Sequence, residues 1–145
     1  MVDAEETNIS AHALLVTKEG KIILQQRDNI LGIVNPGLIS MFGGTIKAKD
    51  NLEQGLRREL LEELELNIDN YTVEKLGTFL KTKEMDGLDW VINVWVVKNV
   101  DLENLKIHEG KGFVCDYPAE LLKLDKLTRI TRLVIQSYID SSNRF

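Results

Sequence analysis

The segment from Gly43 to Leu66 constrains the chain more than any other, because a loop opened by glycines leads there into a highly charged, amphipathic helix. Asp50 followed by Glu53 is typical of a helix start, since both carboxylates can lie near the unpaired amides of a first turn. We therefore expect the helix to begin near Asn51. Its leucines recur at helical spacing and predict one buried ridge, with Leu61 beside it: Leu52, Leu56, Leu60 and Leu64.

Three glutamates of this helix share a face next to the leucine ridge. Glu59, Glu62 and Glu63 stand at i, i+3 and i+4, so their side chains can converge on one point. Like charges at this spacing are destabilising, and a divalent cation would compensate for them, because Mg²⁺ prefers hard oxygen ligands. Gly43 and Gly44 would let a backbone carbonyl approach such an ion closely. The alternative is an ordinary solvated acidic face.

The spacing resembles the signature of the Nudix hydrolases. That signature runs Gly, five residues, Glu, seven residues, Arg-Glu, an aliphatic, any residue, Glu-Glu, any residue, Gly, an aliphatic. Gly44 opens it here, and the matching positions hold Arg58, Glu59, Leu60, Glu62, Glu63 and Leu66. Asp50 replaces the family's first glutamate, and Glu65 replaces the glycine that usually supplies a left-handed residue. We therefore expect the helix to end slightly later, at Asn67.

The resemblance implies hydrolysis of a phosphoanhydride bond in a nucleoside diphosphate linked to another group, X, with Mg²⁺ or Mn²⁺ as cofactor. It implies that Glu59, Glu62, Glu63 and the Gly44 carbonyl bind metal, with Glu62 and Glu63 also counted as catalytic. Glu109 is a candidate for a further metal ligand or the general base, with a solvated loop residue as the alternative.

Two arginines are further site candidates. Arg58 is expected to brace the clustered carboxylates, since a guanidinium orients them and offsets their repulsion. Arg27 ends a predicted strand and either contacts a substrate phosphate or forms an ion pair with one of the glutamates. The sequence leaves both alternatives open.

The remaining pattern predicts a single domain, 1–145, of the α/β class. Helices would cover both faces of a mixed sheet, the α/β/α sandwich that the Nudix resemblance also implies. The predicted strands are Ile9 to Thr17, Ile22 to Arg27, Leu38 to Phe42, Tyr71 to Lys81, Leu88 to Val97 and Phe113 to Asp116. A turn is predicted at Met85-Asp86-Gly87, and a short helix opens at Pro118. The final amphipathic helix is predicted from the spacing of Leu124, Leu127, Ile130, Val134 and Tyr138.

Composition limits the classes of partner that the protein can bind and the compartment in which we expect it. A net charge of -5 and a pI near 5.1 argue against a nucleic-acid polymer but allow a local basic pocket for a small nucleotide. Cys115 is the only cysteine, which excludes an intrachain disulfide. No segment reaches the length needed to cross a membrane. We therefore expect a cytoplasmic protein.

Several alternatives stay open at this point. A Nudix-fold sensor that binds a nucleotide without cleaving it is the main alternative to an enzyme. His12 is interpreted as a core or edge residue, and Trp90 and Trp95 as core residues rather than base-stacking ones. Since dimers are common among similar proteins, a homodimer that uses the apolar strand from Trp90 to Val97 is compatible with the sequence.

Overall fold

The computed structural model describes residues 8–27, 37–46, 51–82, 89–107 and 112–142. Their helices and strands are, in chain order, β1 (Asn8–Val16), β2 (Ile22–Gln26), β3 (Ile39–Ser40), β4 (Phe42–Thr45), α1 (Leu52–Leu64), β5 (Thr72–Lys81), β6 (Trp90–Lys98), β7 (Gly112–Asp116), α2 (Pro118–Leu121) and α3 (Arg129–Ser142). Single 3-10 turns lie at Ile68–Asn70 and Leu102–Asn104.

The strands form one mixed sheet. β1 pairs in parallel with β6 over eight residues, and β6 pairs antiparallel with β5. On the other side, β2 pairs antiparallel with β7 along its whole length. The sheet is therefore mixed, as predicted, and β6 is an inner strand.

Strands β1 and β2 separate in the middle of the sheet. They pair only at Leu15–Ile23 and Val16–Ile22. Beyond that point β4 pairs with β1 and β3 pairs with β2, so the short segment 39–45 crosses from one strand to the other at Met41. This divergence leaves a cleft in which polar side chains of both strands are held by regular backbone pairing.

Two hydrophobic cores lie on opposite faces of the sheet. Alternate residues of β1 contribute to each core because successive side chains of a strand point to opposite faces: Ala11, Ala13 and Leu15 pack with α1, while Leu14 and Val16 pack on the side of α3. The leucine ridge of α1 is fully buried at Leu56, Leu60 and Leu64. The predicted sandwich, with helices on both faces, is confirmed.

The two ends of α1 test the predicted boundaries. Asn51 caps the first turn, with its side-chain oxygen accepting a hydrogen bond from the Gln54 N–H at 2.8 Å. The predicted exit at Asn67 is wrong. Glu65 itself adopts the left-handed conformation, with φ of 55°, and its N–H donates to the carbonyls of Leu60 and Leu61. Burial of the following Leu66, 3% exposed, offsets the strain of this non-glycine residue.

The structure corrects two other expectations, on the start of the last helix and on the dimer surface. Leu124 and Leu127 precede α3, which begins only at Arg129, because 126–128 hydrogen-bonds with Ile39 instead. β6 is covered by β1 and β5 and buried from Ile92 to Val97, so it does not offer the predicted dimer surface. The homodimer itself stays a prediction.

The turn at 85–87 lies outside the described residues. Within the described ranges, no helix is both long and apolar enough to span a bilayer.

Candidate active site

A cavity of about 410 Å³ opens where β1 and β2 diverge. Its first part, the box end, is formed by Gly43, Gly44, Thr45 and Glu59. Its second part, the strand wall, carries side chains from β1, β2, β5 and β6 or their ends: Ser10, His12, Gln25, Arg27, Lys81, Trp90 and Ile92. Ser40 and Met41 of the crossing segment and the start of α3 at Thr128, Ile130 and Thr131 complete the lining.

At the box end, helix α1 meets strand β4, which contains Gly43 and Gly44 where the sequence predicted a loop, through two of the predicted glutamates. The carboxylate of Glu59 covers the Cα of Gly44 so closely that an added Cβ would lie 2.8 Å from the carboxylate carbon. Glu63 is 3% exposed, and its Oε1 accepts a hydrogen bond from the Gly43 N–H at 3.4 Å. Only glycine at position 44 leaves room for this arrangement.

The other predicted site residues on α1 are more exposed than Glu63, and further predicted residues lie outside the described part of the chain. Glu62 is exposed and Arg58 is half-buried on α1. Glu109 lies outside the described residues, as does Asp50. The structure therefore brings together Gly44, Glu59 and Glu63, and Arg27 joins them through the cavity.

The chemistry of the donors at the box end fits a hard divalent cation, because carboxylate and carbonyl oxygens are the ligands that Mg²⁺ prefers. The Glu59 carboxylate approaches the Cα of Gly44, the residue whose carbonyl is the predicted backbone ligand. Among the described residues alone, no group of three His, Cys, Asp or Glu side chains is close enough to hold a metal ion.

The strand wall contains an aromatic ring with a neighbouring cation. Trp90 is half-buried and lines the cavity, and the Lys81 Nζ lies 5.6 Å from the centroid of its ring. Lys81 itself is 8% exposed. Trp95 points to the opposite face and is a core residue, as predicted. The interpretation of Trp90 as a core residue is therefore incomplete, because its ring also faces the cavity.

His12 is a second strand-wall residue that the sequence reading did not count as functional. Its Nδ1 lies 3.2 Å from the Ser10 hydroxyl, and a Cβ added to Gly43 would lie 2.8 Å from its Cδ2. Burial of the ring lowers the pKa of His12 to about 4, with further lowering by the positive charges of Lys81 and Arg27. The imidazole is therefore neutral near pH 7.

Two buried polar atoms of the strand wall have no hydrogen-bond partner among the described residues: Gln25 Oε1 and Arg27 Nε. Arg27 forms no ion pair with a glutamate in that part of the chain, so the ion-pair alternative for it loses support. Unpaired polar groups inside a protein are costly, about 1–3 kcal/mol each, and at a cavity they mark positions where a ligand can bind.

Sequence reasoning missed His12, Gln25, Lys81 and Trp90 because they lie far apart in sequence. One weak signal was available: the strand Ile22–Gln26 has three apolar residues followed by two adjacent glutamines, Gln25 and Gln26, whose side chains point to opposite faces of the sheet. Nothing in the spacing of the others indicates that they share a cavity.

Comparisons with known proteins agree with this fold. The family model of the NUDIX domain matches residues 6–136. A MutT NUDIX hydrolase from Burkholderia pseudomallei superposes with a TM-score of 0.75 at 18% identity, over 91% of this chain and 98% of that one. The NUDIX domain of Shewanella oneidensis NrtR, complexed with ADP ribose, gives 0.73 at 19% identity, over 97% and 93%.

A Caenorhabditis elegans Ap4A hydrolase gives a TM-score of 0.73 at 14% identity, over 96% of this chain and 100% of that one. At these identities the superpositions establish the fold. No match to a curated protein was found. Because the family model covers most of its length, the chain belongs to the Nudix family of hydrolases, which act on phosphorus-containing anhydrides and generally require a divalent metal ion.

Proposed function

We propose that this protein hydrolyses a phosphoanhydride bond in a nucleoside diphosphate linked to X, with Mg²⁺ or Mn²⁺ as cofactor. The observation that carries the proposal is the close approach of the Glu59 carboxylate to Gly44 at one end of a cavity whose other end includes the Trp90 ring and the cations of Arg27 and Lys81. Such a cavity offers a carboxylate for a metal-bound pyrophosphate and an aromatic surface for a nucleoside.

The metal ligands in this proposal are Glu59, Glu62, Glu63, Glu109 and the Gly44 carbonyl. When bound, Mg²⁺ or Mn²⁺ would neutralise pyrophosphate oxygens and lower the pKa of a coordinated water. The base is either Glu109 or one of the α1 glutamates. Burial of Glu63 and its hydrogen bond from the Gly43 N–H hold its carboxylate in one orientation, as a group that binds a metal or accepts a proton requires.

The arginines have separate roles in the proposal. Arg27 lines the cavity and contains an unpaired Nε, so it binds a phosphate oxygen of the substrate. Arg58, one residue before Glu59 on α1, positions the carboxylates and offsets their mutual repulsion. Among the residues that the structure describes, two cationic side chains, Arg27 and Lys81, and one acidic side chain, Glu59, line the cavity. This balance suits an anionic substrate in a protein whose net charge is -5.

The substrate is proposed to be a small nucleotide rather than a nucleic-acid polymer. The related structures named above include one bound to ADP ribose and one that is an Ap4A hydrolase, so nucleotides with a second group on the diphosphate belong in any screen beside nucleoside triphosphates.

The test is product chromatography and phosphate release over nucleoside triphosphates, oxidised triphosphates, nucleotide sugars, ADP-ribose and dinucleoside polyphosphates. Each is measured with Mg²⁺, with Mn²⁺ and with excess EDTA. Turnover of one class that EDTA abolishes supports the proposal. Thermal stabilisation by a nucleotide without any turnover would instead support a sensor, the alternative function of this fold.

A further inference from the structure

We infer that Gln25 is a specificity-determining residue, whose side-chain oxygen accepts a hydrogen bond from an N–H group of the substrate's nucleobase. This inference rests on the proposed function, since it assigns part of the same cavity to the nucleoside. It starts from one buried atom, Gln25 Oε1, which has no hydrogen-bond partner in the described part of the chain.

The orientation of the Gln25 carboxamide is determined by the hydrogen bond of its nitrogen, Nε2. Its Nε2 donates to the Met41 carbonyl at 3.2 Å, so the oxygen cannot exchange places with the nitrogen without facing another acceptor. The backbone of Gln25 is also fixed, because it pairs with Ser40 on one side and Phe113 on the other. The acceptor is thus pre-organised at a residue that is 2% exposed and lines the cavity.

Phosphates cannot be the partner of this oxygen. Ionised phosphate groups present acceptors only, and Gln25 Oε1 is itself an acceptor, so the two would repel. The partner must therefore be a donor in the non-phosphate part of the substrate, either a base N–H or a ribose O–H.

The neighbours of Gln25 favour the base over the sugar. Trp90, Ile92 and Met41 line the same cavity with flat or apolar surface, which suits the faces of an aromatic heterocycle, while a ribose presents hydroxyls around its rim. A base held against these side chains would direct its polar edge toward the polar groups of the wall, among them Gln25. A site built to hydrogen-bond a donor discriminates strongly against an analogue that lacks it.

Gln25→Leu and Gln25→Met remove the acceptor while keeping a side chain of similar size. The matched control is Gln26→Leu: this neighbouring glutamine also donates to a backbone carbonyl, that of Gly37 at 2.8 Å, but does not line the cavity. Circular dichroism and thermal unfolding report folding for each variant, and the methionine variant serves if leucine is not tolerated.

The experiment uses the nucleotide that the wild type turns over best, together with two analogues. One lacks a base donor, such as purine riboside in place of adenosine or inosine in place of guanosine, and the other is the 2′-deoxy form. For the wild type we expect removal of the recognised base donor to lower kcat/KM about 10- to 100-fold, mainly through KM. In the Gln25 variants the same change should cost less than about threefold, while Gln26→Leu should behave as the wild type.

Equal losses in the wild type and the Gln25 variants would overturn the inference. A selective loss for the 2′-deoxy analogue would also overturn it, by assigning the oxygen to the sugar. Should the wild type turn over nothing, the proposed function fails by itself, and calorimetric binding of the same ligand pairs then decides the role of Gln25. If binding too is equal with and without the donor, or absent, the inference is wrong.

Discussion

The two parts of the cavity are built in different ways. The box end and its supporting residue Glu63 come from one stretch of sequence, Gly43 to Glu63, in which Glu59 and Glu63 of α1 contact two successive glycines of β4. The strand wall comes from residues as far apart as His12 and Trp90, brought together by β1, β2, β5 and β6. The first is a local arrangement and the second a product of sheet topology. We therefore expect mutations at the box end to change mainly kcat and mutations in the strand wall to change mainly KM.

The largest effect is expected at the box end from Glu63→Gln. The substitution keeps the size of a side chain that is 3% exposed but removes its charge, so we expect kcat to fall about 100- to 10,000-fold with little change in KM. Steady-state kinetics with a Mg²⁺ titration measures this loss and any shift in metal requirement.

Glu53→Gln is the control for this prediction, because Glu53 lies in the first turn of the same helix and is exposed. It should retain full activity. Glu62→Gln is expected to fall between the two. Turnover near the wild-type value in both Glu62→Gln and Glu63→Gln, with correct folding, would contradict the metal assignment.

The second largest effect on activity is expected from Gly44→Ala. The new Cβ would lie 2.8–3.0 Å from the Glu59 carboxylate and would displace it. Because that group is the end of a flexible side chain, we expect the free energy of unfolding to change by less than about 1 kcal/mol, while kcat falls about 10- to 100-fold.

Gly77→Ala controls for a general effect of added methyl groups, since its Cβ would meet only the Phe79 ring at 3.6 Å. Chemical denaturation and kinetics on the same preparations separate stability from activity. A destabilised but fully active Gly44→Ala protein would show that Glu59 does not need its present position.

In the strand wall, Trp90→Ala should act on binding rather than on chemistry. Loss of the ring that lines the cavity removes a stacking surface, a contact worth about 1–3 kcal/mol for a base on an aromatic ring, so we expect KM to rise about tenfold with kcat nearly unchanged. Trp90→Phe keeps an aromatic face and should stay within about threefold of the wild type. A fall in kcat equal to the rise in KM would place Trp90 in the catalytic machinery instead.

The difference between the box end and the strand wall also explains how much of the site could be predicted from the sequence. Periodicity identified α1 and its leucine ridge, and the i, i+3, i+4 spacing identified Glu59 and Glu63, because a helix converts fixed sequence separation into fixed distance. The cavity role of Lys81 and Trp90 depends on the register Lys81–Trp90 between β5 and β6, and long-range register is not encoded in local spacing. Gln25 gave only the weak signal of two adjacent glutamines after three apolar residues of one strand.

His12 provides a test of the strand wall through pH. Its folded pKa of about 4 lies below the unfolded value near 6.5, so between these values the unfolded chain binds more protons and acidification lowers the free energy of unfolding. His12→Gln removes this titration, and its stability should therefore decline less between about pH 7 and about pH 5 than that of the wild type. Urea unfolding at both pH values measures the difference, and parallel declines would show that folding does not lower the pKa of His12.

The smallest effect is expected where α1 ends. Glu65 adopts a left-handed conformation with φ of 55°, which costs a non-glycine residue about 1 kcal/mol. Glu65→Gly should thus be more stable than Glu65→Ala by about 1 kcal/mol in urea unfolding, the alanine variant accounting for loss of the side chain's own contacts. Neither variant should change kcat, because the hydrogen bonds from residues 65 and 66 to Leu60 and Leu61 hold the helix end in place. A drop in kcat for Glu65→Gly alone would mean that the strained exit helps to position Glu63, and that the box end depends on its helix terminus as well as on its spacing.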